Sequence, residues 1–444
     1  MSFNWQQKGW PKATVNRAAL ADELKAFETA FKSLARALKK PQDLEVVARA
    51  LTDEAVKTSA IEGVNVDESV VMSSICKALG VAYAPKGFTK DARAEGVAQM
   101  MLAVREKWKA PLTAKLLTGF HAALMAGEEN RVTVGAFRSH NEPMRVIRRR
   151  ADGTVEIRYE APPSEQVPKE IAAFVKRWKS PAVKPCDIAL RAAMLHPHFE
   201  SIHPFEDGNG RVGRALVAKV IAEGLDLPLI LPVSPVIARH RAAYYDEINE
   251  ASRTLDWTNW AAFFIPVLTE MMTDFVAAMR FVKAKREYLA KFETGFSARA
   301  KKVILRMFED GETGAKGVLS AAKWMRMAKI SKPTAIGDLQ LLEKQGAISR
   351  VGDGVRLEYH LSDFTGEPIN EPLNAMLDER LLRLIETHPG VQLSYLKSVV
   401  GKSLATVKRT VAVLIAAGKI EHRGSKKTGG YWVVSHTAKT EAKR

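Results

Sequence analysis

A histidine, a carboxylate, two arginines and a glycine-rich turn fall within one short segment, His203-Pro204-Phe205-Glu206-Asp207-Gly208-Asn209-Gly210-Arg211-Val212-Gly213-Arg214. A histidine is a base near neutral pH, a carboxylate holds a hard cation, and arginines clamp phosphate oxygens. Val212, Ala215, Leu216, Val220 and Ile221 recur at helical spacing. The pattern predicts Gly208-Asn209-Gly210 as a tight loop opening onto a helix N-terminus, where free N–H groups and the dipole favour an anion. Arg211 and Arg214 then share one face of the first turn. Cations there oppose the dipole at a cost of roughly 0.3–1 kcal/mol each, and a bound polyanion reverses that sign. Transfer at a nucleotide phosphorus needs in-line attack, charge neutralisation and a base at the attacking oxygen, and this set offers all three.

Taken whole, the segment resembles the signature of the Fic (Fido) family, H-P-F-x-[D/E]-G-N-G-R-x-x-R, and matches it at every fixed position. The resemblance implies transfer of AMP from ATP to a Tyr, Ser or Thr hydroxyl of a target protein, with Mg²⁺ as the cation. In that reading His203 is the general base and Asp207 holds the Mg²⁺. Backbone N–H groups of Gly208, Asn209 and Gly210 form an anion hole, and the Asn209 side chain steadies the α-phosphate. Arg211 and Arg214 clamp the outer phosphates, and Phe205 pins the loop. Glycine at 210 favours nucleotide transfer over a kinase-like branch of the family, where lysine tends to stand.

Upstream, Leu44, Val47, Leu51, Ala55 and Ile61 form a helical stripe that ends at Thr58-Ser59-Ala60-Ile61-Glu62-Gly63, with Gly63 a natural left-handed stop. Glu62 is an anion at a negative helix end and needs a cation. Fic relatives carry an inhibitory helix with the pattern [S/T]-x-x-x-E-[G/N], which Thr58 through Gly63 match. The resemblance implies that Glu62 pairs with Arg214 and restrains the site. It also leaves open the reverse reaction, in which Glu62 positions a water that removes AMP. Trp5, Trp10 and Pro11 resemble, more loosely, a short N-terminal module of some Fic proteins.

Val134-Gly135-Ala136-Phe137-Arg138 is similar to the family's G-x-[FY]-R segment. Met144-Arg145-Val146-Ile147, an Asp152-Gly153 turn and Val155 to Tyr159 read as a hairpin. The resemblance makes this hairpin a flap that holds the target as an added strand, with Arg138, Met144, Val146 and Ile147 as its binding residues. Arg148, Arg149 and Arg150 fall at its tip. Tyr244 and Tyr245 are candidates for the adenine and ribose pocket, whereas core packing accounts better for Trp257 and Trp260. His196 and His198 could join His203 at a metal. Pro197 intervenes, though, and a carboxylate-held Mg²⁺ suits a triphosphate better than a three-histidine zinc site.

A chain of 444 residues suggests about three domains. The expected architecture is mainly α. A helical module at 1–95 carries the inhibitory helix, and an all-helical Fic core with its β-hairpin flap spans 98–290. Two small α+β winged-helix-like modules follow at 297–365 and 372–436. Ser331-Lys332-Pro333-Thr334 reads as the cap of a recognition helix reaching Lys344, and Lys402 to Arg409 opens a second. Turns around Gly352-Asp353-Gly354 and Gly429-Gly430 mark the wings. The basic run His422 to Lys427 suits phosphate contacts, so DNA is a candidate partner. Protein docking or homodimerisation is the alternative use of such modules. The rival to the enzyme is a DNA-binding regulator whose Fic module senses nucleotide.

With 46% hydrophobic and 26% charged residues, the composition is that of an ordinary globular protein. The net charge of +17 favours acidic partners, and more than half of it falls in residues 297–444. Cys76 and Cys186 stand far apart, which argues against a disulfide framework and fits a reducing cytoplasm. The opening residues carry no charged-then-apolar leader pattern. The longest apolar-looking run, Leu225 to Ile237, is broken by prolines and too short to span a bilayer, so no membrane association is expected.

Overall fold

The computed structural model describes residues 2–38, 43–82, 90–149, 154–182, 184–309, 319–351, 357–362, 381–382, 385, 389–393, 396, 404–425 and 429–434. The protein is mainly helical, and its described strands form only small antiparallel pairs. Two compact units divide the chain, Met1–Val276 and Ala277–Arg444.

The first unit opens with α1 (Ala21–Ala37), α2 (Leu44–Ile61), α3 (Glu68–Leu79), α4 (Ala92–Glu106) and α5 (Ala114–Leu124). A hairpin follows, β1 (Arg145–Arg149) with β2 (Val155–Glu160), and then α6 (Val167–Trp178), α7 (Pro185–Ile202) and α8 (Asn209–Leu225). Last come α9 (Ser234–Arg239), α10 (Arg241–Ala251) and the start of α11 (Thr258–Phe292), whose residues from Ala277 onward belong to the second unit. Asp43, Asp67, Asp91 and Thr113 start their helices by accepting from first-turn N–H groups. The stripe Val47, Leu51, Ala55 and Ile61 of α2 is buried. Leu44, at the very start of the helix, is exposed instead. The expected boundary between 95 and 98 falls inside α4. That helix packs on α2, α3 and α5, so the N-terminal helices and the core share one interior.

Helices α7 and α8 are buried on nearly every side, as helices at the centre of a domain are. Pro197 lies within α7 and has no N–H to give the carbonyl of Ala193. The Trp260 indole donates to that carbonyl at 2.6 Å, which explains why a tryptophan stands there. A strap at residues 3–14 crosses α7. Asn4 donates to Ser201 Oγ and to the Ala251 carbonyl, and the Trp5 indole donates to Glu160 of β2. Tyr159 of β2 in turn donates to the Ser201 carbonyl. The strap therefore fixes the hairpin to the end of α7. β1 pairs antiparallel with β2, with a bulge between Val146 and Ile147. The Asp152-Gly153 turn and the side chains of Arg148, Arg149 and Arg150 lie outside the described residues.

The run Leu225–Ile237 is not the chain's longest apolar stretch. Residues Thr258–Gly295 form a helix long and apolar enough to cross a membrane. Trp260, Phe264, Leu268 and Met272 of that helix are buried against the first unit, so packing accounts for their apolar character.

In the second unit, α12 (Ala298–Glu309), α13 (Ala321–Ala328), α14 (Lys332–Lys344), β3 (Ile348–Val351) and β4 (Glu358–Leu361) surround a core of Ile304, Trp324, Leu339, Leu342 and Tyr359. Ser331 caps α14 as the sequence predicts. A second core gathers Leu396, Val407, Val411, Leu414 and Ile420 around α15 (Leu404–Ala416), β5 (Ile420–Arg423) and β6 (Gly430–Val433). Each helix–strand junction turns on a left-handed glycine, Gly346 or Gly418. Lys402, Ser403 and the turn at 352–356 lie outside the described residues.

Candidate active site

His203 caps the C-terminus of α7 in a left-handed conformation, φ 48°, that only a well-supported non-glycine residue holds. Arg138 supplies the support. Its Nε donates to the His203 carbonyl at 2.8 Å, and its other nitrogens reach Ser164 Oγ and the carbonyls of Pro162 and Ile202. Arg138 is buried, so it scaffolds the loop and is not placed to bind a target on the flap, as the resemblance implied. His203 Nδ1 lies 3.3 Å from the Glu200 carbonyl. A carbonyl only accepts, so Nδ1 carries the proton and Nε2 keeps the lone pair. Burial, then the nearby Arg138 charge, hold the imidazole down at about 4, so it is neutral at physiological pH.

Phe205 is fully buried and stacks on His121, ring centroids 4.1 Å apart. Asn209 closes the loop. Its side chain accepts from Phe205 N–H at 2.9 Å and donates to Phe205 C=O at 2.8 Å. That side chain is therefore committed to the loop and not free for an α-phosphate. Gly208 caps α8 at φ 83°, and its N–H is taken by Asp207 Oδ1. Of the expected anion-hole donors, Asn209 and Gly210 remain in the open first turn, where N–H groups have no partner four residues back.

Asp207 meets two cations, Arg211 at 3.0 Å and Arg131 at 2.6 Å. Burial alone would raise its pKa, but Arg211, the Gly208 N–H and Arg131 hold it below the usual carboxylate range. Arg214 is almost wholly enclosed. It donates to Thr58 Oγ1 at 2.8 Å, to the Thr58 carbonyl at 2.9 Å and to Glu62 Oε1 at 2.8 Å. The predicted pairing of the two misplaced charges is thus present. Arg241 and Tyr245 add bonds of 2.8 and 2.9 Å to the Ile61 carbonyl, which tie down the last turn of α2. Tyr245 so placed serves the α2 helix end. Tyr244 is buried, its hydroxyl 2.8 Å from His196 Nε2.

A cleft of about 990 Å³ brings together His203, Gly210, Arg214, Glu62, Glu200, Tyr244 and Tyr245. Val146 and Ile147 line it from the hairpin, whereas Met144 sits at the hairpin base and does not. His196 and His198 face inward, the latter accepting from the Trp178 indole. Sequence reasoning missed Arg131, Arg241, His121 and Glu200. None belongs to a motif, and each reaches the site through the fold.

The model of the Fic/DOC family matches residues 111–221, which hold every group of the signature loop just described. Residues 111–221 are a Fic domain. A domain of unknown function (DUF4172) matches residues 3–81, the strap and the helices up to α3. A probable protein adenylyltransferase of Aquifex aeolicus (strain VF5) is 33% identical over 94 residues, 21% of this chain and 27% of that protein. A Fido domain-containing protein of Dictyostelium discoideum is 38% identical over 72 residues, 16% of this chain and 49% of that protein. The chain so spans about a quarter to a half of these relatives. The crystal structure of a Fic family protein from Desulfovibrio desulfuricans G20 covers 80% of this chain and 98% of its own, with 21% identity and a TM-score of 0.47.

The buried histidines of the Fic domain set an acid limit on stability. Burial holds His121 and His203 at about 4 and His196 and His198 at about 3, against 6.5 in an unfolded chain. Below pH 6.5 the unfolded chain binds protons that the folded one refuses, at up to about 1.4 kcal/mol per pH unit per histidine. The thermal midpoint should therefore fall steadily from pH 6.5 to pH 4.5. A flat midpoint over that range would contradict the burial of these rings.

Proposed function

We propose that this chain transfers AMP from ATP to a hydroxyl side chain of a target protein, and that the end of α2 restrains the reaction. The observation that carries the proposal is Arg214, caged by Thr58 and Glu62 across the cleft from a neutral His203. The Aquifex aeolicus relative, named a probable protein adenylyltransferase, supports it.

The neutral tautomer leaves Nε2 of His203 ready to accept the target's proton. N–H groups at the start of α8 and the arginines then face the phosphates. Asp207 suits Mg²⁺, because it is an anionic, partly exposed carboxylate beside a phosphate site. Mg²⁺ commonly uses one or two carboxylates together with phosphate oxygens and water. Such a cation, when bound, neutralises phosphate charge. Arg211 and Arg131 must then let go of Asp207, which frees Arg211 for the nucleotide. Asp207→Ala should lose Mg²⁺-dependent nucleotide binding by calorimetry, and an unchanged dependence would put the cation elsewhere. Val146 and Ile147, exposed on the hairpin, would hold the target's backbone beside His203.

The test uses a Glu62→Gly chain with ATP labelled at either the α- or the γ-phosphate. Protein labelled only from the α-position supports nucleotidyl transfer. Label from the γ-position would make the chain a kinase, and no label from either would overturn the proposal. Glu62 also lines the cleft, so the reverse reaction is measured by the same chain's release of AMP from the labelled target. For the basic second unit we propose DNA binding through phosphate contacts, expected to weaken steeply with salt.

A further inference from the structure

Glu200 stands in the last turn of α7, three residues before His203, and lines the cleft beside Glu62, Arg214 and Tyr244. Only 17% of its side chain is exposed. Oε1 is buried without a hydrogen bond, as is His196 Nδ1, 4.0 Å away. Oε2 lies 4.0 Å from His203 Nδ1. The carboxyl is packed tightly, since a Cβ on Gly213 would come within 2.5 Å of Oε1. An acid at the negative end of a helix, buried and unbonded, is disfavoured twice over. Packing alone would be better served by an apolar residue.

We infer that Glu200 orients His203 and balances the charge that its imidazole gains on taking the target's proton, and that Glu62 opposes this by placing a second negative charge nearby. The chemistry rests on the transferase reading above. A histidine base works best when its far nitrogen faces an acceptor. His203 Nδ1 faces two acceptors from one residue, the Glu200 carbonyl at 3.3 Å and its carboxyl at 4.0 Å. The second distance is just beyond bonding, and such contacts tighten once substrate is bound. In the step itself the target O–H proton moves to Nε2 while the oxygen bonds to the α-phosphorus. The bond from that phosphorus to the β-phosphate oxygen breaks, and its electron pair leaves with pyrophosphate. The resulting imidazolium then points Nδ1–H at the Glu200 carboxylate.

Glu62 enters through charge. The groups facing Glu200 are Glu62 on α2, Arg214 on α8, Tyr244 on α10 and Tyr159 on β2, besides His196 and His203 on its own helix. Arg214 is the one cation among them, and it is bonded to Glu62. Burial, then the Glu62 charge, push the Glu200 carboxyl up to about 8, with Arg214 opposing. With Glu62 in place Glu200 thus keeps its proton near neutrality and partners an imidazolium poorly. Without Glu62, Arg214 is left to favour the carboxylate against burial alone.

The test compares full-length Glu62→Gly with Glu62→Gly carrying Glu200→Gln, a change that keeps shape and removes charge. Histidine-labelled protein is titrated by NMR, with His203 assigned from its loss in a His203→Ala sample. Its pKa should be lower by about one unit in the Gln variant, a tenfold loss of proton affinity. kcat for AMP transfer should fall roughly 10–100-fold while KM for ATP holds. Glu200→Asp should recover part of both. An unchanged titration or an unchanged kcat overturns the inference. If Glu62→Gly transfers no nucleotide at all, the transferase reading falls, and the titration alone still decides the pairing of Glu200 with His203.

Discussion

Replacing His203 with alanine should cut AMP transfer by about 10²–10⁴-fold and leave ATP affinity nearly unchanged. The imidazole is neutral, its tautomer is set by the Glu200 carbonyl, and no phosphate-facing cation depends on it. Its contribution is confined to moving one proton. The left-handed φ of 48° is held through backbone bonds from Arg138 to His203 and Pro204, which the substitution keeps. The loop should therefore survive. Single-turnover rates and ATP calorimetry on one preparation check both halves. A joint collapse of rate and ATP binding would make His203 a structural residue.

Glu62→Gly should raise transfer, including self-modification, by at least about tenfold, the effect of freeing a minor competent state by ~1.4 kcal/mol. Arg214 now spends its donors on Thr58 and Glu62, so it cannot also hold an outer phosphate. ATP would then bind in a pose unfit for in-line attack. Without Glu62 the buried guanidinium loses its bonded carboxylate; breaking a fully buried pair typically costs about 3–5 kcal/mol, and less here because Glu62 is partly exposed and Glu200 lies nearby. The variant should consequently melt earlier than wild type and be stabilised more by ATP. Arg214→Ala in the same background should cancel the gain in rate. Equal initial rates for wild type and Glu62→Gly would end the restraint model and leave the transferase proposal standing.

The loop from His203 to Arg214 was readable because its chemistry is contiguous; the misplaced charge of Glu62 showed only that it needs a cation, and the family resemblance supplied Arg214 as that partner. Long-range partners were not readable. Trp260 answers a carbonyl orphaned by Pro197, and nothing in the local pattern links the two. Asn209 turned inward to Phe205, since a polar side chain beside a tight loop has backbone partners closer than any ligand. Arg138 was misread for a similar reason. The resemblance put it with the flap, and only the fold shows the loop carbonyls that take its donors. The boundary expected between 95 and 98 falls inside α4, because a helix that packs on both sides of it leaves no break in the local sequence pattern.

Gly210 sits where α2 and α8 meet, and a Cβ there would lie 2.1 Å from Glu62 Oε1 and 2.9 Å from Arg214 Nη1. Even the smallest side chain at 210 would push the Glu62 carboxyl end aside and weaken its bond to Arg214. Residues 62 and 210 are therefore coupled. If Glu62 restrains transfer as proposed, a side chain at 210 loosens the same restraint, so neither position can be substituted without altering the other.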